Sequence, residues 1–316
     1  MVKIQEECVM NSERQNVVCS TLSSDDALLF HKLMNSLLAY VNQKTGIIKN
    51  VNSVNDLVKN FIEKTAPLRE KIFSDKYNFI DMFIKDNPFN FLQEELSIVN
   101  SWKKYKTGKF YIVKHVKEYS LFFDSDNSKV YGVKGITDSF EEKFQGYTPV
   151  IVDITLIPFK DNLIYDGIFC PYNISFGGGI RKSLKVETEE AIQEFGIITS
   201  LEQPIKKKEL NDEEMLRFYM KSSDNKMRYQ EDIHKLKNKS SELEAVYYQE
   251  EAKEFSRIFK KSLKEAGIKG YFAVLNNVIV ASAENENELH TNINKIVPKE
   301  KLDWISTFKI TAKEIK

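Results

Sequence analysis

Residues 101–119 read SWKKYKTGKFYIVKHVKEY, and the architecture turns on where in this stretch the hydrophobic period changes. Up to Trp102 the apolar residues recur at three- and four-residue intervals, as on one face of a helix. From Gly108 they alternate or run together as FYIVKHV, YSLFF, KVYGVKGI, PVIVDITLIPF and NLIYDGIF, divided by Asp, Asn, Ser, Gly and Pro clusters. A helical layer therefore ends here and a sheet begins.

Working back from this boundary, Ser23 or Ser24 is placed to cap a helix with Asp25 and Asp26 in its first turn. Phe30, Leu33, Leu37, Leu38 and Val41 form its apolar face, and Gly46 is the natural stop. A second helix is expected from Ser53 and a third from Pro67, since proline is tolerated in a first turn. A fourth, FLQEELSIVNSW, is expected to be capped by Asn90.

Working forward, the short connections between successive strands imply antiparallel pairing in a sheet of roughly five or six strands, curled into a small barrel or half-barrel. A short helix at 188–196 ends on Gly196, and EQPIKKKELND reads as a linker. The charged stretch 212–266 keeps helical spacing without a sustained heptad, which fits a pair of helices or a protruding arm. The tail reads as strand, Asn276-Asn277 turn, strand, helix and strand. The expected fold is α+β, in five parts: an N-terminal arm 1–22, a helical region 23–104, an antiparallel sheet or barrel domain 105–200, a linker and charged helical arm 201–266, and a ββαβ module 267–316.

Composition limits the function classes. The 46 Lys+Arg balance 46 Asp+Glu, so whole-protein steering to a polyanion or membrane is not expected and any such attraction must be local. The longest apolar runs fall well short of the roughly 20 residues that cross a bilayer. Cys8, Cys19 and Cys170 are odd in number, lack metal-ligand spacing and follow no leader, which favours a reducing, cytoplasmic setting. His31, His115, His234 and His290 lie in separate elements without a ligand motif, so neither metal nor cofactor is expected.

Local charge supplies the leading candidate site. Lys103, Lys104, Lys106 and Lys109 interleave with Trp102 and Tyr105, a mixture of cations and stacking faces suited to single-stranded RNA or DNA. The competing reading puts the aromatics in the core and the lysines along a solvated strand edge. NISFGGGIRKSLK at 173–185 has neither Walker nor dinucleotide spacing. Its Gly177, Gly178 and Gly179, beside Arg181 and Lys182, make either an anion-accepting nest of N–H groups or simply a bend where a strand turns.

Among carboxylates, Asp153 and Asp166 fall on neighbouring expected strands and could hold a divalent metal or perform acid-base chemistry if they converge. Asp166-Gly167 also reads simply as a turn. Cys170 and His115 share the sheet region, but a cysteine behaving as a small hydrophobe is the commoner case. The leading expectation is a non-catalytic binding or assembly protein, contacting RNA or DNA at the sheet edge or associating with a protein partner or itself through 212–266. The alternative is an enzyme acting on an anionic substrate at the central sheet.

Overall fold

The computed structural model describes residues 20–49, 51, 54, 62–74, 76–202 and 204–315. The chain divides into two compact units, Met1–Lys208 and Glu209–Lys316. The fold is α+β, with a mixed six-stranded sheet in the first unit and an antiparallel three-stranded sheet in the second. The arm expected over 1–22 falls almost wholly outside the described residues, as does the helix expected from Ser53.

Helix α1 (Ser24–Thr45) forms as its sequence dictates: Ser23 Oγ accepts the Asp26 N–H at 3.2 Å, and Gly46 closes it at φ +65°. Its apolar stripe, Phe30, Leu33, Leu37, Leu38 and Val41, is fully buried. Helix α2 (Ile62–Ile72) carries Pro67 inside it instead of starting there. Leu68 and Ile72 are buried, and that packing offsets the hydrogen bond the proline cannot make.

Helices α3 (Phe79–Asp86) and α4 (Gln93–Ser101) complete the layer. Asn90 does not cap α4. It sits at φ +52° in the preceding turn, while Leu92 occupies the cap position and its N–H is taken by Glu95 Oε2 at 3.0 Å. The Asn87 side chain bonds both the N–H and the carbonyl of Phe91, setting the turn one step earlier than composition alone suggested.

Strands β1 (Lys106–His115), β2 (Ser120–Asp124) and β3 (Lys129–Val133), the one-turn helix α5 (Phe140–Lys143), and β4 (Val150–Phe159) and β5 (Asn162–Pro171) follow. The sheet order is β5-β4-β1-β2-β3-β6, where β6 is only Ile197–Ile198. All pairs are antiparallel except β3 with β6, so the wholly antiparallel sheet expected is in fact mixed. The crossover that allows the parallel pair is helix α6 (Gly178–Phe195). Lys134 N donates to Leu163 O at 2.9 Å, tying the end of β3 to the start of β5 and bending the sheet back on itself.

Each face of this sheet has its own cover. Phe110, Ile112, Phe122, Tyr131, Val152, Ile154 and Leu156 merge with the apolar faces of α1 to α4 into one core. Leu121, Phe123 and Val130 point the other way, under Leu184 and Ala191 of α6. Helix α6 is longer than the segment expected at 188–196 because Leu184, on the same face as Thr188 and Ala191, is buried as well and extends the packed stripe towards its start. The glycine run therefore opens a helix and does not bend a strand.

In the second unit, α7 (Asp212–Tyr219), α8 (Ser223–Arg228) and α9 (Gln230–Lys237) precede α10 (Ser241–Glu265); Leu216, Met220, Ile233 and Leu243 form a small core, and Asn225 of α8 donates to the Phe218 carbonyl at 2.9 Å. Helix α10 also lies against β7 (Gly270–Leu275) and β9 (Ser306–Ile310). The charged helices and the C-terminal module are thus packed together, and α10 is not a protruding arm. The hairpin of β7 with β8 (Val278–Ala283) turns at Asn276 with φ +53°, the left-handed conformation asparagine tolerates. Helix α11 (Glu286–Ile296) covers it with Leu289 and Ile293. Among the described residues, no helix is long and apolar enough to cross a membrane.

Candidate functional site: a cleft beside a buried arginine

Strands β4 and β5 hold regular register from Asp153↔Cys170 to Ile154↔Phe169, then resume at Leu156↔Tyr165. Thr155 therefore faces three residues, Asp166, Gly167 and Ile168, and β5 bulges outward there. Gly167 takes φ +93°, a conformation open chiefly to glycine. The Asp166 side chain turns back to accept the Ile168 N–H at 3.2 Å and is itself buried.

Arg69 of α2 meets this bulge. Its Nη1 lies 3.2 Å from Asp166 Oδ2 in an ion pair, and its Nε is buried without a hydrogen-bond partner among the described residues. The guanidinium packs on the Gly167 backbone: a Cβ there would stand 3.2 Å from Nη2 and 3.3 Å from Nη1. Burial pushes the Asp166 carboxyl up and the Arg69 guanidinium down, each against the pull of the other's charge. A charged group buried with unmet donors is costly, and such groups mark functional positions more often than ordinary ones do.

Above this pair lies a cleft of about 710 Å³ lined by α2, the start of β1, β4 and β5. Phe73 and Tyr105, tilted rings 5.3 Å apart, and Ile168 supply its apolar wall. Thr107 and Thr155, whose hydroxyls are 2.9 Å apart, supply a neutral polar one. Among the described residues its charged lining is two cations, Arg69 and Lys76, against three acids, Glu70, Asp153 and Asp166. Cys170 lines it as well, exposed and unpaired as a disulfide.

The structure brings Asp153 and Asp166 to this one cleft, with Tyr105 beside them. Asp153 accepts a hydrogen bond from the Tyr172 hydroxyl, and the Lys109 ammonium stands 5.2 Å over the Tyr172 ring. The bond Lys109 donates to the Tyr172 oxygen, followed by the negative charges of Tyr172 and Asp153, raises the Lys109 pKa.

The rest of the basic stretch is dispersed. Trp102 is fully buried in an edge contact with Phe30, so its face is not open for stacking. Lys103 pairs with Asp81, and Lys104 donates to the Glu202 carbonyl at 3.2 Å. Lys106 pairs with the buried Asp124 at 2.8 Å. Gly177 is the N-cap of α6, Gly178 and Gly179 lie in its first turn, and Arg181 and Lys182 follow, exposed. No acid stands in that first turn, and Arg181 Nε donates to the Phe176 carbonyl at 3.0 Å.

Arg69 went unnoticed in the sequence, where PLREKI is an ordinary amphipathic helix. The only signal was indirect: an aspartate inside the apolar strand NLIYDGIF requires a partner once buried. Among the described residues, no group of three His, Cys, Asp or Glu is placed to hold a metal ion. No family model, curated protein or solved structure matches the chain.

Proposed function

We propose that the chain is a binding protein whose first unit takes a small anionic ligand in the cleft between α2 and the β4–β5 bulge. The observation that carries this reading is Arg69, a largely buried cation that lines the cleft, pairs with Asp166 through Nη1 and leaves Nε without a hydrogen-bond partner among the described residues. An anion in the cleft lies against the Arg69 guanidinium and adds to the charge that Asp166 alone supplies, and charge-assisted contacts of this kind are the strong ones. Clefts of several hundred Å³ with apolar walls and a few convergent polar groups are the usual form of a small-molecule site.

The test is isothermal titration of the full chain with formate, acetate, propionate and phosphate, alongside Arg69→Lys. The expected result is saturable binding by at least one anion that Arg69→Lys weakens about tenfold, since a lysine cannot reproduce the planar donor set. Anions that bind equally well to both proteins, or to neither, overturn the reading. A catalytic use of Asp153 and Asp166 on the same ligand is a further step that their shared cleft permits but does not require.

A second reading keeps the nucleic-acid expectation and rests on a different observation. Helix α6 opens on three glycines with no acid in its first turn and with exposed Arg181 and Lys182, an environment favourable to a phosphate. Fluorescence anisotropy of labelled single-stranded RNA and DNA across a salt series, with Arg181→Glu/Lys182→Glu, decides it: affinity must fall with log salt and with the charge reversal. Self-association through 212–266 has less support, because Leu216, Met220, Ile233 and Leu243 already pack on one another.

A further inference from the structure

Resting on the cleft as the ligand site, we infer that its ligand is a zwitterion of the amino-acid or short-peptide type, bearing one carboxylate, one protonated amine and an apolar or aromatic body.

The argument is one of charge and shape. Among the described residues the lining sets three acids, Glu70, Asp153 and Asp166, against two cations, Arg69 and Lys76. A dianion such as phosphate would add two charges of the same sign to that surface, whereas a zwitterion adds none. The guanidinium in the lining belongs to a single arginine, which suits a single carboxylate. The acids at hand suit an ammonium. Tyr172 engages one oxygen of Asp153, Oδ2, and an ionised carboxylate has acceptor capacity for several donors. Glu70 is exposed on α2 in the same lining.

Between these poles lie Phe73, Tyr105 and Ile168, which shed water onto an apolar side chain. Asp153 in this role is a specificity residue that rewards the amine, and Arg69 is the anchor.

The experiment is isothermal titration of the full chain with glycyl-phenylalanine, N-acetyl-glycyl-phenylalanine, glycyl-phenylalanine amide and inorganic phosphate, repeated on Asp153→Asn. Glycyl-phenylalanine should bind tightest. Capping either end should weaken it about tenfold, the value of one hydrogen-bonded charge. Asp153→Asn should lower glycyl-phenylalanine to the level of the N-acetyl compound and leave the N-acetyl compound unchanged, a pattern that general unfolding would not produce.

If the N-acetyl compound or phosphate binds as tightly as glycyl-phenylalanine in an Arg69-dependent way, the zwitterion inference is overturned while the anion reading stands. Should Asp153→Asn and Glu70→Gln both leave the preference for the free amine intact, the assignment of the amine to these acids is wrong. If nothing in this panel or among the simple anions binds through Arg69, both readings fall together.

Discussion

Arg69→Met tests whether the Arg69–Asp166 pair is the electrostatic centre of the first unit. Methionine keeps most of the unbranched stem, so little cavity forms and the loss is mainly the positive charge. Asp166 is then a carboxylate with a side chain 5% exposed and no cation beside it. It cannot stay ionised at any cost, because it can always take a proton instead. Protonating a carboxyl whose ordinary value is 3.8 costs about 4 kcal/mol at pH 7 and about 1.6 kcal/mol at pH 5, and these figures cap the electrostatic penalty. The sign follows: an acid whose folded pKa is raised loses stability as pH climbs above its unfolded value and regains it as pH falls. Arg69→Met should therefore be destabilised by up to about 4 kcal/mol at pH 7 and by less than half of that at pH 5. Adding Asp166→Asn, which retains an acceptor for the Ile168 N–H, should restore most of the loss at pH 7.

Urea denaturation followed by tryptophan fluorescence reads this, in a Trp304→Phe background so that only the buried Trp102 of the first unit reports. A penalty of equal size at both pH values, or a double variant no more stable than Arg69→Met, would refute the reasoning and reduce Arg69 to a packing residue.

Three further outcomes are expected. Gly167→Ala should cost about 1–3 kcal/mol by thermal melt, because φ +93° is strained for any side chain and the new Cβ presses on the guanidinium; a neutral result would mean that the bulge relaxes. His115 has Nδ1 2.8 Å from Ser120 Oγ, and burial lowers its pKa against the pull of Glu141 and the Tyr147 backbone, so the fold favours the neutral ring. Stability should fall as pH drops through about 6.5, the unfolded value, and His115→Gln should flatten that part of the pH–stability curve measured by denaturant titration. Glu314 is held down to about 2 by Lys264, then the Thr311 N–H and Lys260; its contribution should be complete above pH 4.5 and lost as pH falls towards 2, and Glu314→Gln should speed hydrogen exchange at the C-terminal turn without changing the first unit.

Much of the architecture was legible because it depends on short-range periodicity. The apolar stripe of α1, its Ser23 and Gly46 ends, the switch to strands after Trp102 and the Asn276 hairpin all follow from residues within a few positions of one another. The glycine run shows the limit of such reasoning. Glycine permits both a bend and a helix start, and the choice fell to Leu184 and Ala191, which reach an apolar sheet face built by β2 and β3. The basic stretch shows it again: its lysines looked alike in sequence, but Asp81, Asp124 and the Glu202 carbonyl, all distant along the chain, engage three of them.

The sequence by itself determined the class of fold, the position of the helix-to-sheet boundary and the ends of the best-capped helices, since capping, turn chemistry and side-chain period act over one or two turns of chain. Only the tertiary structure decided that Arg69 meets Asp166 across 97 residues, that a bulge at Gly167 makes room for it, and that Asp153 shares their cleft. Burial and charge pairing are properties of neighbours in space, and a buried donor left without an acceptor has no counterpart in a linear pattern.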